Sequence, residues 1–309
     1  MEQIASVENL DEAYNWLCKK REHHSHNNDV WNLRREWKIY KPDLREHLLN
    51  GTYRFQVQQE IRFPDQTIEL WSSCDALVLK TVALVLSSHL KPYISNQCSH
   101  VKGNGGAKQA VRQVNAHLKG NPFVFRSDVK SYYTSINHSI LLDQLRPYIQ
   151  DQRVISLLYD YLRRTVCFGG LYQEIKQGIS LGCPLSPLMG ALCLKLMDDR
   201  IEKTGLFYIR FMDDWVVLAP SRWKLRKAIR ITNQTLHELR LEKHPDKTYI
   251  GRIEKGFDFL GYRFETMGFS IAPQTRINFL DRITRLYEQD ADSKRIGQYV
   301  KNWNRWAQV

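Results

Sequence analysis

Residues 207–219 read Phe-Tyr-Ile-Arg-Phe-Met-Asp-Asp-Trp-Val-Val-Leu-Ala. Two apolar, β-prone runs meet at adjacent carboxylates, and the pattern predicts a hairpin with Asp213 and Asp214 at its tip. Like charges this close repel unless a cation lies between them, which makes the pair a candidate divalent-metal site. A solvated Asp-Asp turn is the plainer alternative. Arg210, just upstream, is placed to neutralise acidic groups. A second pair, Asp198-Asp199, closes the Leu-, Met- and Ala-rich run 188–197 and is expected to be a solvated helix end.

At 309 residues the chain can form two or three subdomains around real cores. Lys and Arg number 45 against 33 Asp and Glu, a net charge of +12 spread along the chain. That suits a polyanion-binding surface, and equally a generic basic protein. Aromatic residues, 11% of the total, are enough to furnish base-stacking platforms, although packing is their default role. The cysteines at 18, 74, 98, 167, 183 and 193 include no Cys-x-x-Cys pair, so free thiols in a reducing compartment are expected. No cationic-apolar signal opens the chain, and no apolar run approaches the roughly 20 residues of a membrane helix. A cytoplasmic protein without a membrane partner is expected. His23, His24 and His26 stand in a polar stretch and read as a solvated loop rather than a ligand set.

Along the chain, helices are expected around 10–18, 31–49, 75–90 and 109–118, and a hairpin across 53–70 turning at Phe63-Pro64-Asp65-Gln66. Between the last two helices, Lys102-Gly103-Asn104-Gly105-Gly106-Ala107-Lys108 is a Gly-rich basic loop. With Arg112 its lysines suit contact with a nucleic-acid backbone; a plain connector is the alternative, and the Gly-Lys-Ser/Thr ending of a nucleotide P-loop is missing. A short apolar strand, 123–129, carries Asp128 near its end, costly unless paired or metal-bound. One helical segment, 139–164, an irregular Gly/Pro-rich stretch, 169–187, a basic amphipathic helix, 222–241, a strand, 257–264, and two short helices over 274–309 complete the pass.

In this order, five short motifs resemble those of the reverse transcriptase palm, over about residues 45–265. They are Ser127-Asp128-Val129-Lys130-Ser131-Tyr132-Tyr133, Gly178-Ile179-Ser180-Leu181-Gly182-Cys183-Pro184-Leu185-Ser186-Pro187, Phe211-Met212-Asp213-Asp214, Lys247-Thr248 and Phe259-Leu260-Gly261-Tyr262. The resemblance is to prokaryotic members: group II intron-like, diversity-generating, retron and defence-associated enzymes. It implies an α+β right-hand polymerase fold, with N-terminal helices and fingers over 1–120, a ferredoxin-like palm over 121–265 and a small helical thumb over 266–309.

The implied activity is RNA-directed DNA polymerisation from dNTPs with two Mg²⁺ ions, or Mn²⁺ in their place. Asp128 and Asp213 are the expected bridging ligands, the Val129 carbonyl a further one, and Asp214 a weaker support. Lys247 is expected to protonate the leaving pyrophosphate or stabilise its charge. Tyr133 would exclude a 2′-hydroxyl, Leu181, Gly182, Ser186 and Pro187 would line the nucleotide, and Phe259, Leu260 and Gly261 would grip the primer end. Partners implied are an RNA template, a DNA primer and product, a structured non-coding RNA and an accessory protein.

Three departures qualify the match. Leu181 stands where the family usually has Gln, similar to diversity-generating enzymes that copy with errors; Gln177-Gly178 imitates the usual pair four residues early. Glu69 stands near the place of the arginine that meets the triphosphate, leaving Arg54 and Arg62 as substitutes. The Val-Thr-Gly motif of retrons is missing, and the short stretch after Phe264 suits only a small thumb. Anti-phage defence, retroelement diversification and a domesticated intron-like role all fit a compact enzyme of this kind. Template-independent or protein-primed synthesis, and a catalytically retired RNA-binding protein, are the alternatives.

Overall fold

The computed structural model describes residues 1–63 and 67–308. In chain order the elements are α1 (Val7–Lys20), α2 (Val30–Asn50), β1 (Gln58–Arg62), β2 (Thr67–Leu70), α3 (Ser73–Leu90), α4 (Gly106–Ala116), β3 (Phe123–Ser127), α5 (Tyr132–Ser135), α6 (His138–Leu145), α7 (Gln152–Leu162), β4 (Thr165–Phe168) and β5 (Leu171–Glu174). They continue with α8 (Ser186–Cys193), α9 (Lys195–Glu202), β6 (Phe207–Phe211), β7 (Asp214–Ala219), α10 (Arg222–Glu238), β8 (Tyr249–Arg252), β9 (Phe257–Phe259), β10 (Tyr262–Glu265), β11 (Gly268–Ile271), α11 (Pro273–Glu288) and α12 (Ser293–Ala307). The chain divides into two discontinuous compact units, residues 1–95, 131–195 and 237–241 in the first and 96–130, 196–236 and 242–309 in the second.

The first unit is built on α3. Its N-cap Ser72 accepts the Asp75 N–H at 3.0 Å, and nearly every turn carries apolar side chains, among them Leu77, Val78, Leu79, Val82 and Leu86, all buried. This helix is long and apolar enough to cross a membrane, yet most of it is buried in the unit's core. Helix α1 lays Leu10, Ala13 and Leu17, spaced three and four apart, into the same core. A four-stranded sheet, ordered β2-β1-β4-β5, is antiparallel apart from the β1–β4 pair. The expected turn at 63–66 lies outside the described residues, apart from Phe63. The single helix expected over 139–164 is two, α6 and α7, separated where Pro147 denies the chain an N–H and where Asp151 starts α7 by accepting from Arg153 N at 2.9 Å.

In the second unit, β6-β7-β3-β8 form an antiparallel sheet. Its core gathers Val111 and Val114 of α4, Val124, Ile209, Val216 and Leu218 of the sheet, and Phe257, Phe259 and Phe264 beyond it. The strand expected over 257–264 is a hairpin, β9–β10, with Leu260 (φ 49°) and Gly261 (φ 84°) as its two turn residues. Two positive φ angles in a two-residue loop are the turn whose twist suits paired strands. The apolar phase slips by one at Leu260, and that slip beside a glycine was the available signal.

Gly261 also faces Trp306 of α12: a Cβ added to it would stand 2.9 Å from the indole ring. We therefore expect Gly261→Ala to lower stability by at least ~1–2 kcal/mol, the left-handed backbone cost of an L side chain, with the ring contact added to it. Thermal unfolding of the two proteins checks this.

Candidate active site

Pairing in the β6–β7 hairpin closes at Phe211 with Asp214, so Met212 and Asp213 form the turn itself. Met212 holds φ 57°, an unusual conformation for a bulky residue. Two neighbours hold it there: His100 Nδ1 accepts the Met212 N–H at 2.9 Å, and Arg210 Nη1 donates to the Met212 carbonyl at 2.7 Å. Strand β3 lies antiparallel to β7 with Ser127 opposite Trp215, which brings Asp128, the next residue, to the same sheet end as Asp213 and Asp214.

The three carboxylates meet different surroundings. Asp214 receives Arg126 through two hydrogen bonds, Nε and Nη2 each at 3.1 Å, while Arg126 Nη1 reaches the Lys247 carbonyl at 2.9 Å. Burial pushes the Asp214 carboxyl up to about 7, against the pull of Arg126. Asp213 is raised as well, first by burial and then by the charge of Asp128. Asp128 is buried; Lys247 Nζ donates to its Oδ2 at 2.8 Å, while its Oδ1 has no hydrogen-bond partner among the described residues. A bridge between Val129 and Lys243 is bonded through Lys130 N to the Glu242 carbonyl and His244 N to the Asp128 carbonyl, each 2.9 Å. That register leaves the Val129 carbonyl out of the pairing.

Among the described residues no three His, Cys, Asp or Glu side chains are gathered into a preformed metal cage. The donor chemistry nonetheless fits a hard divalent cation: three carboxylates at one sheet end, one of them with a buried oxygen unpartnered among the described residues, beside the Val129 carbonyl that the bridge does not use. Lys247 and Arg126 meanwhile supply positive charge to Asp128 and Asp214.

Asp198 is not the solvated helix end that its sequence context suggests. It is fully buried and takes Arg210 through Nε–Oδ1 at 2.8 Å and Nη2–Oδ2 at 2.5 Å, with the Tyr208 hydroxyl donating to Oδ1 at 2.6 Å. Burial works against the Arg210 charge, and Asp198 outweighs it, holding the guanidinium well above the ordinary arginine range. Arg210 thus neutralises Asp198 and braces the Met212 turn. Arg126, His100 and Asp198 are site residues that sequence reasoning missed; the alternation of β3, which turns Arg126 and Asp128 to one face, was the signal for the first.

The expected nucleotide-contacting residues lie in the first unit. Gly178, at φ 89°, rests on the backbone of Tyr133 and Thr134, where a Cβ would stand 2.8–2.9 Å from their atoms, and Ile179 N donates to the Tyr133 carbonyl at 2.7 Å. Gly190 of α8 faces both tyrosines: a Cβ there would lie 3.2 Å from the Tyr133 ring and 3.4 Å from Tyr132, whose hydroxyl donates to the Gly190 carbonyl at 2.5 Å. Tyr133 is half-buried, and Leu181, Gly182 and Pro187 are exposed. Ser186 is buried; its hydroxyl donates to the Ser180 carbonyl and lies 2.9 Å from the Tyr161 hydroxyl. Glu69 holds Arg164 in a buried ion pair, Arg54 lies 3.6 Å from Asp160, and Arg62 pairs with Glu60 at 2.5 Å.

Back in the second unit, Phe259 is core, whereas Leu260 and Gly261 form the half-buried turn. Lys102 and Arg112 are exposed. Lys108 donates to the carbonyls of Arg305, at 2.7 Å, and Gln308, so it caps the C-terminal end of α12, where a cation is favoured.

We expect Asp198→Ala to destabilise the protein by ~3–5 kcal/mol, because it strands a buried guanidinium, whereas Asp198→Leu with Arg210→Met recovers most of that loss. Denaturant unfolding of the three chains measures both values.

A family model described as reverse transcriptase (RNA-dependent DNA polymerase) matches residues 69–264. Protein YkfC of Escherichia coli K12 is 22% identical over 265 residues, 71% of this chain and 70% of YkfC. Group II intron-encoded protein LtrA of Lactococcus lactis subsp. cremoris is 22% identical over 169 residues, 55% of this chain but 28% of LtrA. Among solved structures, apo telomerase from Candida tropicalis aligns with a TM-score of 0.51 and 16% identity over 63% of this chain and 45% of that one, a likeness of fold. The architecture is accordingly the right-hand polymerase fold, and RNA-directed DNA polymerase is the activity of the family. Since the matched segment runs from β2 to β10 and includes all three carboxylates of the β3 and β6–β7 strand ends, the chain belongs to the reverse transcriptase family.

Proposed function

We propose that this chain builds DNA from dNTPs on an RNA template by two-metal nucleotidyl transfer, in the cytoplasm and with a dedicated structured RNA, in a bacterial retroelement or defence setting. The observation that carries this reading is the carboxylate cluster, above all the buried Asp128 Oδ1 that has no protein partner among the described residues. An unpartnered buried anionic oxygen is costly, and a cation is its natural complement. The six unbridged cysteines support the compartment.

In this reading Asp128, Asp213 and the Val129 carbonyl hold the divalent ions, Mg²⁺ or Mn²⁺, with Asp214 behind them. Ions so held would activate the primer 3′-hydroxyl and neutralise charge at the leaving pyrophosphate. Lys247, parted from Asp128 Oδ2, is then available to the pyrophosphate as a charge or a proton donor. Tyr133 meets the sugar as a steric gate. The packing of its ring beside Gly190, where a Cβ would stand 3.2 Å from it, supports that role by fixing where the ring lies. Leu181 with Gly182 and Pro187 presents surface to the nucleotide, and Ser186 acts from inside by fixing the loop. Leu260 and Gly261, on a turn braced by Phe259 and Trp306, are the primer-contacting pair. Lys102 and Arg112 contact nucleic-acid backbone, with Lys108 shared between that role and its helix cap.

The retired RNA-binding reading draws on one observation, that Lys247 and Arg126 already neutralise Asp128 and Asp214. Primer extension on an RNA template with Mg²⁺ or Mn²⁺ separates the two. We expect incorporation by the native chain and a loss of about 10³-fold or more in Asp213→Ala and Asp128→Asn, in line with the several kcal/mol that a catalytic metal contributes. Mn²⁺ should raise the melting temperature of the native chain and not of Asp213→Ala. No incorporation together with no Mn²⁺ effect would select the retired reading.

Opening the gate should relax sugar selection. We expect Tyr133→Ala to reduce discrimination against ribonucleotides by ~10–100-fold, the range for a void opened in an apolar pocket, measured as the ratio of kcat/KM for paired dNTP and rNTP substrates.

A further inference from the structure

We propose that the cleft between α10 and the edge strand β8 is a second nucleic-acid site, one that takes a single-stranded RNA segment away from the carboxylates. The cleft has a volume of 540 Å³, within the size of a ligand pocket, and its lining includes Arg222, Arg226, Arg252, Lys255, Phe123 and Tyr249. Four cations therefore face one cleft whose lining includes no Asp or Glu. Glu254 is the nearby acid, 3.4 Å from Arg252 across a well-exposed pair worth little in water. Arg222 and Arg252 both lie over the Phe123 ring, 5.8 and 5.7 Å from its centroid. Like charges drawn to one ring favour an anion between them.

The aromatic surfaces decide the class of anion. Phe123 is half-buried, so part of its ring stays open to the cleft. Tyr249 lies along its strand because Gly251 has no side chain: a Cβ there would stand 2.7 Å from the Tyr249 hydroxyl, which donates to the Arg252 carbonyl at 3.1 Å. Rings interleaved with arginines recognise unpaired bases and phosphates together, whereas an acidic peptide has no use for the rings. Arg230, exposed one turn on from Arg226, extends the basic surface along α10. Strand β3 links cleft to cluster: Phe123 stands at one end and Asp128 just past the other, about 17 Å away at the rise of a β-strand. The choice of RNA rests on the function proposed above; the anion and ring chemistry of the cleft does not.

The test uses the full chain, a fluorescent 20-nucleotide single-stranded RNA and anisotropy titrations across a range of KCl concentrations. Replacing Arg222, Arg226, Arg252 and Lys255 together by Gln should weaken binding about tenfold or more and reduce the log–log salt slope by about 3, roughly 0.7 for each phosphate no longer neutralised. Primer extension on a hybrid with an overhang too short to reach the cleft should stay within about twofold, and 4-thiouridine RNA should crosslink to peptides from α10 and β8 in the native chain only. Unchanged affinity, slope and crosslinks in a variant of unaltered melting temperature overturn the proposal. Displacement of the RNA by polyglutamate as readily as by unlabelled RNA overturns it in favour of an acidic protein. A native chain that binds RNA through the cleft but never extends a primer upholds the cleft and defeats the polymerase reading.

Discussion

Arg210 is wholly removed from water, and a guanidinium there is tolerable only with a partner that returns what hydration gave. Asp198 is that partner, held square to it by two hydrogen bonds and by the Tyr208 hydroxyl. The remaining edge of the guanidinium donates to the Met212 carbonyl, so the pair fixes the one backbone turn that carries Asp213. His100 closes the other side of that turn by accepting the Met212 N–H. A bulky residue at positive φ persists when its surroundings over-determine it, and here they do so from both peptide ends. Placement of the carboxylates is thus set by groups that never need to touch a substrate.

The carboxylates themselves are in tension. Burial and mutual repulsion raise Asp213 and Asp214, and the chain relieves part of this with its own cations, Arg126 and Lys247. The two relieve it differently. Arg126 binds both oxygens of Asp214 and is tied to the Lys247 carbonyl, a rigid fork suited to a permanent partner. Lys247 meets one oxygen of Asp128 from a flexible, half-exposed stem, a contact suited to exchange. Of the two contacts, that of Lys247 with Asp128 is therefore the more readily exchanged, and that of Arg126 with Asp214 the more permanent.

How much of this was legible in the sequence depended on whether local pattern carried the information. The β6–β7 hairpin, the Asp128 strand and α3 announce themselves through apolar runs and flanking turns, and their positions agree closely with the structure. Asp198 did not: its sequence context is a polar helix end, and only the long-range partner Arg210 reveals it as core. The same holds for Glu69, which sits where an arginine was sought and is held by Arg164, 95 residues away. Buried ion pairs of this kind are invisible to periodicity because each member looks solvated alone. Ser186 is the converse case: a motif residue read as a ligand contact proves to be buried, its hydroxyl used to hold Ser180 and meet Tyr161.

Charge adds a further step. A net +12 was compatible with any basic protein, and its meaning depends on where the cations are spent. Arg210, Arg164 and Arg126 are committed to internal acidic partners, so they contribute fold rather than field. Arg222 and Arg226 of α10, Arg252 of β8 and Lys255 face solvent at a sheet edge, where their field adds. An edge strand also risks pairing with another chain, and charge along it guards against that. Yet the arginines of this edge converge on Phe123 instead of spreading outward, which discouraging a neighbour does not require. Convergence around an aromatic face suits anion recognition, and it gathers part of the excess positive charge of this chain apart from the carboxylate cluster.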